Sequence, residues 1–216
     1  SRYFIHEMLL VFFTALVLGA GWRYAQTRRV GWALLGGAGL GLMYATKETF
    51  VLALAAMSLA GAATLAWNRW REGTPIALKS WWNAQHFWLA LAAGLVVSEL
   101  LFTSFFTNLR GPLDSVLTYL PWTKRAGGHT AHLYPWYFYF ERLFCFRQPR
   151  GPFWTEGLIL VLAGFGLVAA LRGKGLGTAS VAWLRFVGFY TIFLAGMYSV
   201  IAYKTPWCAL GFFHGM

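Results

Sequence analysis

Polar side chains in this sequence fall in short clusters between long apolar runs. Residues 3–22 carry a single formal charge, Glu7. Comparable runs recur at 30–46, 49–67, 87–107, 153–171 and 184–203, and a further one starts at Trp207. A run of roughly 18 or more apolar residues is long enough to cross a bilayer as a helix. A helix that is apolar around its whole circumference has no face meant for water. The expected fold is therefore all-α: a polytopic transmembrane helical bundle of about six spans, plus the start of a seventh. The glycine-rich "GWALLGGAGLGL" in the second run suits close helix approach in lipid, where small residues act as the packing device. It equally suits the general abundance of glycine in membrane spans.

Composition agrees with this pattern. The chain is 58% hydrophobic and only 12% charged, with a mean hydropathy of +0.53, against about 25% charged residues in a soluble domain. It opens on Ser1 with no secretory signal before the first run, and the last run stops at Met216 after ten residues. Both ends are expected to be cuts. Residues 1–216 are then a transmembrane domain fragment whose first outer loop and C-terminal part are missing. Its outer loop, 108–152, is expected to carry an interfacial helix.

The formal charge of +11 raises the question of nucleic acid. The basic residues are dispersed between spans instead of clustered on one face, which excludes that partner and marks topology. Arg23, Arg28, Arg29, Arg69, Arg71, Lys79, Arg172, Lys174 and Arg185 fall on alternate sides of successive spans, against a single acidic residue there, Glu72. That side is expected to be cytoplasmic. The other six carboxylates, with Arg2, Lys47, Lys204 and the 108–152 loop, are assigned to the outer side.

Candidate chemistry gathers on this outer side. Lys47 and Glu48 meet between two spans with almost no loop, in "YATKET". A charge at bilayer depth costs about 2.5–3.5 kcal/mol, so such residues usually face a polar cavity or a partner; the plain alternative is that both snorkel into headgroups. "SRYFIHEM" puts Arg2 and His6 on one helix face with Glu7 one step around it, where an ordinary polar helix end would look the same. Glu99 is a further carboxylate in the outer half of the fourth span. The aromatic run from Tyr134 to Phe146 suits the headgroup layer, and Pro135 suits the first turn of an interfacial helix. An aromatic anchor does not account for His129, His132, Glu141 and Arg142. Lys204 ends the sixth span in "AYKTPW". Cations drawn from separate elements beside carboxylates are what an anionic-headgroup site needs: lysine and arginine to hold phosphate, and a carboxylate to take a proton.

At these positions the sequence resembles a known family. "SRYFIHEMLLVFFT" is similar to the Ser-Arg-x-x-x-x-Asp/Glu segment of protein O-mannosyltransferases and their bacterial relatives. "YATKET" resembles the Thr-Lys-Gly/Glu motif of lipid A aminoarabinose transferases and allied proteins. "HLYPWYFY" resembles their His-x-x-Pro-x-x-x-Tyr loop, and "YKTPWCAL" their Lys-x-Pro/x-Trp/Tyr segment. The four segments fall in order between Ser1 and Leu210. The resemblance is to the C-type (GT-C) glycosyltransferase superfamily, in the dolichyl-phosphate-mannose–protein mannosyltransferase clan, and within it to the prokaryotic subgroup labelled flippase-activity-associated.

The resemblance implies an inverting sugar transfer from a polyprenyl-phosphate carrier to a protein or glycan acceptor, at the non-cytoplasmic face of a prokaryotic plasma membrane. A carboxylate serves as base while polyprenyl phosphate leaves. Arg2, Lys47 and Lys204 match positions that would hold the carrier phosphate, and His132 matches the loop histidine. Glu7 matches the second acidic position, a support or base candidate, while the main base belongs to an acidic pair upstream of Ser1. A chain cut there is expected to be inactive by itself. His6, Glu48, His129 and Arg142 join the acceptor side by position alone.

No cofactor is certain beyond the lipid-linked sugar donor. A divalent metal near His129, His132 and Glu141 is conceivable, although the spacing is not diagnostic. Cys145 and Cys208 have no metal-ligand spacing and form either two thiols or one bridge. A lipid-carrier flippase or transporter component is the rival reading, since it too places charges in a membrane cavity. It would favour paired broken spans and midplane charges, neither of which the sequence displays.

Overall fold

Two glycines on one helix face allow a close backbone approach in the first part of the chain. In the computed structural model, which describes residues 6–73, 83–126, 133–147, 151, 153–174 and 177–216, helix α1 (His6–Thr27) is followed by α2 (Val30–Thr46) and α3 (Phe50–Glu72), and then by α4 (Ala84–Phe102). Gly37 and Gly41 of α2 lie opposite Ala90 and Gly94 of α4. A Cβ at Gly37 would sit 2.0 Å from the Ala90 carbonyl oxygen, and one at Gly41 would sit 2.3 Å from that of Gly94. Both pairs are four residues apart, the small-xxx-small spacing that lets helices touch through their backbones. Matching 37 with 90 and 41 with 94 makes α2 and α4 parallel. For Gly37 and Gly41, then, close packing is the explanation. At Gly31 a Cβ would meet nothing within 4 Å, and there the abundance of glycine in apolar helices suffices.

Helix α1 runs antiparallel to α2. Gly39 faces Leu16 and Val17, and Thr14 approaches the Met43 sulfur at 3.9 Å. After α4 come two short helices, α5 (Gly111–Leu117) and α6 (Tyr119–Ala126). Gly111 rests on the end of α4, where a Cβ would fall 1.8 Å from the Phe102 carbonyl oxygen.

The chain divides into two units: Ser1–Val51 with Pro75–Thr123, and Leu52–Thr74 with Lys124–Met216. The second contains nearly all of α3, with α7 (Phe138–Phe144), a two-residue hairpin of β1 (Phe146–Arg147) and β2 (Phe153–Trp154), α8 (Gly157–Arg172) and α9 (Val181–Val200). A 3₁₀ turn (Pro206–Ala209) and α10 (Leu210–Phe213) follow. Its polar anchor is Arg185, 2% exposed. The guanidinium donates to the Ala170 carbonyl at 2.8 Å, to Asn68 Oδ1 at 2.6 Å and to Glu72 at 2.5 Å. It thereby joins α3, α8 and α9. Trp67 adds a hydrogen bond from its indole to the Leu171 carbonyl at 3.3 Å.

All six expected runs are helical over most of their length, but their bounds differ. Among the described residues, four helices are long and apolar enough to cross a membrane: α1, α3, α4 and α9. Helices α2 and α8 are shorter, at 17 and 16 residues. Helix α1 continues to Thr27 and α3 to Glu72, so Arg23, Arg69 and Arg71 are helical and not in loops. Arginine, alanine and glutamine are good helix formers, and a change of polarity does not end a helix. Arg28, at φ 54°, turns the chain after α1, and Gly73, at φ 65°, does so after α3.

Helix α4 stops at Phe102, five residues short of the expected end. Beyond it Ser104, Phe105 and Phe106 adopt φ of 47°, 56° and 69°, a left-handed run costing roughly 1–2 kcal/mol per residue. Hydrogen bonds from Phe105 N to the Leu100 carbonyl (2.8 Å) and from Asn108 N to the Thr103 carbonyl (2.8 Å) hold it. Pro135 also lies ahead of its helix: α7 begins at Phe138, and the Phe138 amide donates to the Pro135 carbonyl at 3.1 Å.

Large apolar side chains stay uncovered along these helices, including Phe12 at 62%, Trp88 at 62% and Phe165 at 71% exposure. Apolar exposure on this scale marks an interaction surface. No disulfide joins Cys145 and Cys208; the first is exposed, and the second is buried with its sulfur 3.1 Å from Thr205 Oγ1.

Candidate functional site

The first unit has opposite electrical ends. Because α2 and α4 are parallel, their C-termini share one end, where backbone carbonyls favour a cation; α1 starts there, and its N-terminus favours an anion. The side chains follow this arrangement. Lys47 is the C-cap residue of α2, and Glu7 lies in the first turn of α1. The Lys47 ammonium pairs with Glu7 Oε1. The Glu7 side chain is 7% exposed and that of Lys47 21%, so the carboxylate sits behind and the ammonium faces outward.

Lys47 opens into a cavity of about 340 Å³, which His6, Tyr44, Glu48, Ser115 and Tyr119 also line. Its walls are tied by polar contacts. Ser115 donates to the Pro112 carbonyl at 2.7 Å, which leaves its oxygen to accept from the Tyr44 hydroxyl at 2.8 Å. Tyr119 donates to the Glu48 backbone carbonyl at 3.3 Å. Burial, then Tyr44, then the Glu48 carboxylate push the Tyr119 phenol up to about 12. The Tyr44 ring packs edge-on to Phe102, with centroids 4.8 Å apart.

An ammonium has three hydrogens. One engages Glu7, and two remain for acceptors in the cavity, so Lys47 can hold a phosphate oxygen while Glu7 fixes its position. Glu48 supplies a half-buried carboxylate at the same cavity. Phenol, hydroxyl and carboxylate groups along the wall are suited to sugar hydroxyls.

The structure thus brings together four of the residues singled out in the sequence: His6, Glu7, Lys47 and Glu48. Lys204 and Arg142 belong to the second unit. Lys204 is 1% exposed, and its ammonium donates to the carbonyls of Ile201 (2.5 Å) and Tyr134 (3.1 Å). Burial lowers its pKa from the usual lysine value. In this arrangement Lys204 acts on the protein's own backbone, next to an antiparallel bridge between Leu133 and Tyr203. The Arg142 guanidinium stacks over the rings of Phe146, at 3.8 Å, and Phe138, at 5.0 Å. Arg2, His129 and His132 lie outside the described residues.

Sequence reasoning missed Tyr44, Ser115 and Tyr119. A tyrosine three residues before Lys47 was the available signal for the first; the other two fall in the 108–152 stretch expected to be a loop, match no motif, and sit on the short helices α5 and α6.

Comparison of the chain with protein-family models, with curated proteins and with solved structures finds no match.

Proposed function

We propose that this chain is part of a multi-pass membrane glycosyltransferase of the GT-C type. It moves a sugar from a polyprenyl-phosphate carrier to a protein or glycan acceptor at the non-cytoplasmic face of a prokaryotic plasma membrane. Six apolar helices, four of them long enough to cross a bilayer unaided, support membrane embedding. The observation that carries the functional reading is the Glu7–Lys47 pair, with Lys47 opening into a polar-walled cavity at the helix ends.

In this reading Lys47 holds the carrier phosphate and steadies it as it leaves. Glu7, whose oxygen is committed to that ammonium, is a support carboxylate that orients Lys47. His6 and Glu48 lie on the acceptor side of the cavity. Lys204 anchors the segment entering α7, and the sugar and acceptor are left to the cavity wall to select.

The test is transfer of labelled sugar from polyprenyl-phosphate carrier in membranes containing the complete protein. Lys47→Ala should lower transfer by about 100-fold, the scale for removing one charge-stabilising donor, and Glu7→Gln should lower it less. Unchanged transfer in both variants, with altered movement of the carrier across the bilayer, would replace this reading with the flippase.

A further inference from the structure

Helix α4 has 19 residues, which at 1.5 Å per residue makes it about 28 Å long, close to the roughly 30 Å of bilayer hydrocarbon. An α4 that crosses the membrane therefore brings Phe102 to the edge of the acyl region, and the residues after it meet the head-group layer. They are built for that position. The Thr103 hydroxyl accepts from the Phe106 amide at 3.1 Å, which adds to the bonds holding the left-handed turn at Ser104, Phe105 and Phe106. Phe105 and Phe106 stand on this turn at 71% and 69% exposure. Positive φ suits glycine, so the backbone conformation does not call for two aromatic rings there.

The short helices α5 and α6 continue as one amphipathic piece, because Thr118 between them keeps helical angles of φ −57° and ψ −26°. One face is inward: Gly111 is buried, and Pro112, Ser115, Thr118 and Tyr119 are half-buried. Ser115 and Tyr119 on that face are bonded to Tyr44 of α2 and to the Glu48 carbonyl just beyond it. Leu113, Val116, Leu117 and Leu120 are all exposed. Their i, i+3, i+4, i+7 spacing makes them the opposite stripe, one that belongs against an apolar phase. The exposed apolar surface of α4, with Leu95, Val96 and Leu101, leads up to the same end. The only formal charges from Leu109 to Leu120 are Arg110 and Asp114, which pair with each other at 3.5 Å. The segment has no net charge, so its partner is recognised by apolar contact and not by a charged head group.

We infer that residues 105–120 form an in-plane membrane anchor. Phe105, Phe106 and the Leu113–Leu120 stripe insert among the acyl chains of the leaflet at the C-terminal ends of α2 and α4, as the apolar face of an interfacial helix does. The reverse face, with Ser115, Thr118 and Tyr119, lines the Lys47 cavity, so one wall of that cavity rides on lipid. The anchor requires that α4 crosses a bilayer and does not depend on the glycosyl-transfer reading.

The test uses the complete protein in phosphatidylcholine vesicles, with its own cysteines, Cys145 and Cys208 among them, replaced by serine. A spin label is attached in turn to Leu113→Cys, Asp114→Cys, Val116→Cys, Leu117→Cys and Leu120→Cys. The four stripe positions should collide several-fold more often with oxygen, which concentrates among acyl chains, than with a water-soluble nickel chelate. Asp114→Cys should show the reverse. Phe105→Gly with Phe106→Gly keeps the left-handed turn but removes both rings, and should lower the oxygen-to-nickel ratio at Val116→Cys. If one labelled variant fails to fold, the remaining stripe positions decide, since each carries the same expectation. Frequent nickel collisions along the stripe would put it in water, and few collisions with either reagent would put it under another protein surface. Either result would overturn the inference, as would an unchanged ratio at Val116→Cys after the double glycine change.

Discussion

The ammonium of Lys47, at the C-cap of α2, is paired with the carboxylate of Glu7, forty residues earlier in the first turn of α1. Each charge stands where the backbone dipole of its own helix favours it, so the pair fixes the relative position of two antiparallel helices at the candidate site. Removing one partner of a buried pair costs about 3–5 kcal/mol. Here the lysine is partly open, and Lys47→Met should cost less, about 2 kcal/mol. Glu7→Leu together with Lys47→Met should be less destabilising than the two single changes summed. Thermal unfolding of the four proteins in detergent measures this coupling; strict additivity would mean that the ion pair contributes nothing to stability.

Burial makes Tyr119 a second probe of the same cavity. Its phenol is raised from 10.0 to about 12 by burial first, then by Tyr44 and Glu48. Below pH about 10 the phenol is protonated in folded and unfolded chains alike, and its stabilising contribution is complete. As pH rises the unfolded chain ionises first, and the contribution is lost as pH passes through about 12. The difference in tyrosinate absorbance between the parent and Tyr119→Phe should therefore titrate with a midpoint near 12. A midpoint near 10 would place the Tyr119 hydroxyl in open solvent.

Much of the helical architecture was legible because apolar runs of this length have one stable form in lipid, the helix that satisfies its own backbone. The ends were less legible, because they depend on what stops a helix. Nothing in "RYAQT" stops α1, whereas three left-handed residues that are not glycine stop α4 after Phe102, and no propensity announces them. The site was partly legible. Glu7 and Lys47 could be assigned to one membrane side by alternation, but their contact depends on the antiparallel packing of α1 on α2. Lys204 reads in sequence as a helix-end cation; its burial against the Tyr134 and Ile201 carbonyls depends on the bridge between Leu133 and Tyr203, which no local pattern encodes. Arg185 counted as one more topology charge. Its place inside an apolar run, and the lone acidic residue Glu72 on the same side, were the signals that it is bonded.

Packing between α2 and α4 gives a third expectation. A Cβ at Gly37 would fall 2.0 Å from the Ala90 carbonyl oxygen, which is backbone and has no rotamer to change. Gly37→Ala should therefore push the helices apart and destabilise by about 3 kcal/mol, at the upper end of overpacking costs. Gly31→Ala, where there is open space, should be neutral or slightly stabilising, because alanine has the higher helix propensity. Comparing unfolding midpoints of the two variants tests the parallel α2–α4 contact directly. Equal midpoints would mean that the backbones do not touch at Gly37.

Arg185 ties three helices of the second unit together. The residue is 2% exposed, and its guanidinium serves Ala170, Asn68 and Glu72 at once. Arg185→Met removes these bonds, leaves the Glu72 carboxylate and Asn68 Oδ1 without this donor, and leaves the Ala170 carbonyl with the Gly173 amide alone, so the loss should be about 3 kcal/mol. Arg185→Lys keeps the charge but lacks the planar fork that reaches several acceptors, and should lose about 2 kcal/mol. The Glu72 side chain is 42% exposed, and Glu72→Gln retains an acceptor for the fork, so its loss should stay near 1 kcal/mol. The order Met, then Lys, then Gln in unfolding midpoints distinguishes a buried hydrogen-bonding hub from a simple ion pair. In a simple ion pair, Arg185→Lys would be nearly harmless and Glu72→Gln would cost as much as Arg185→Met.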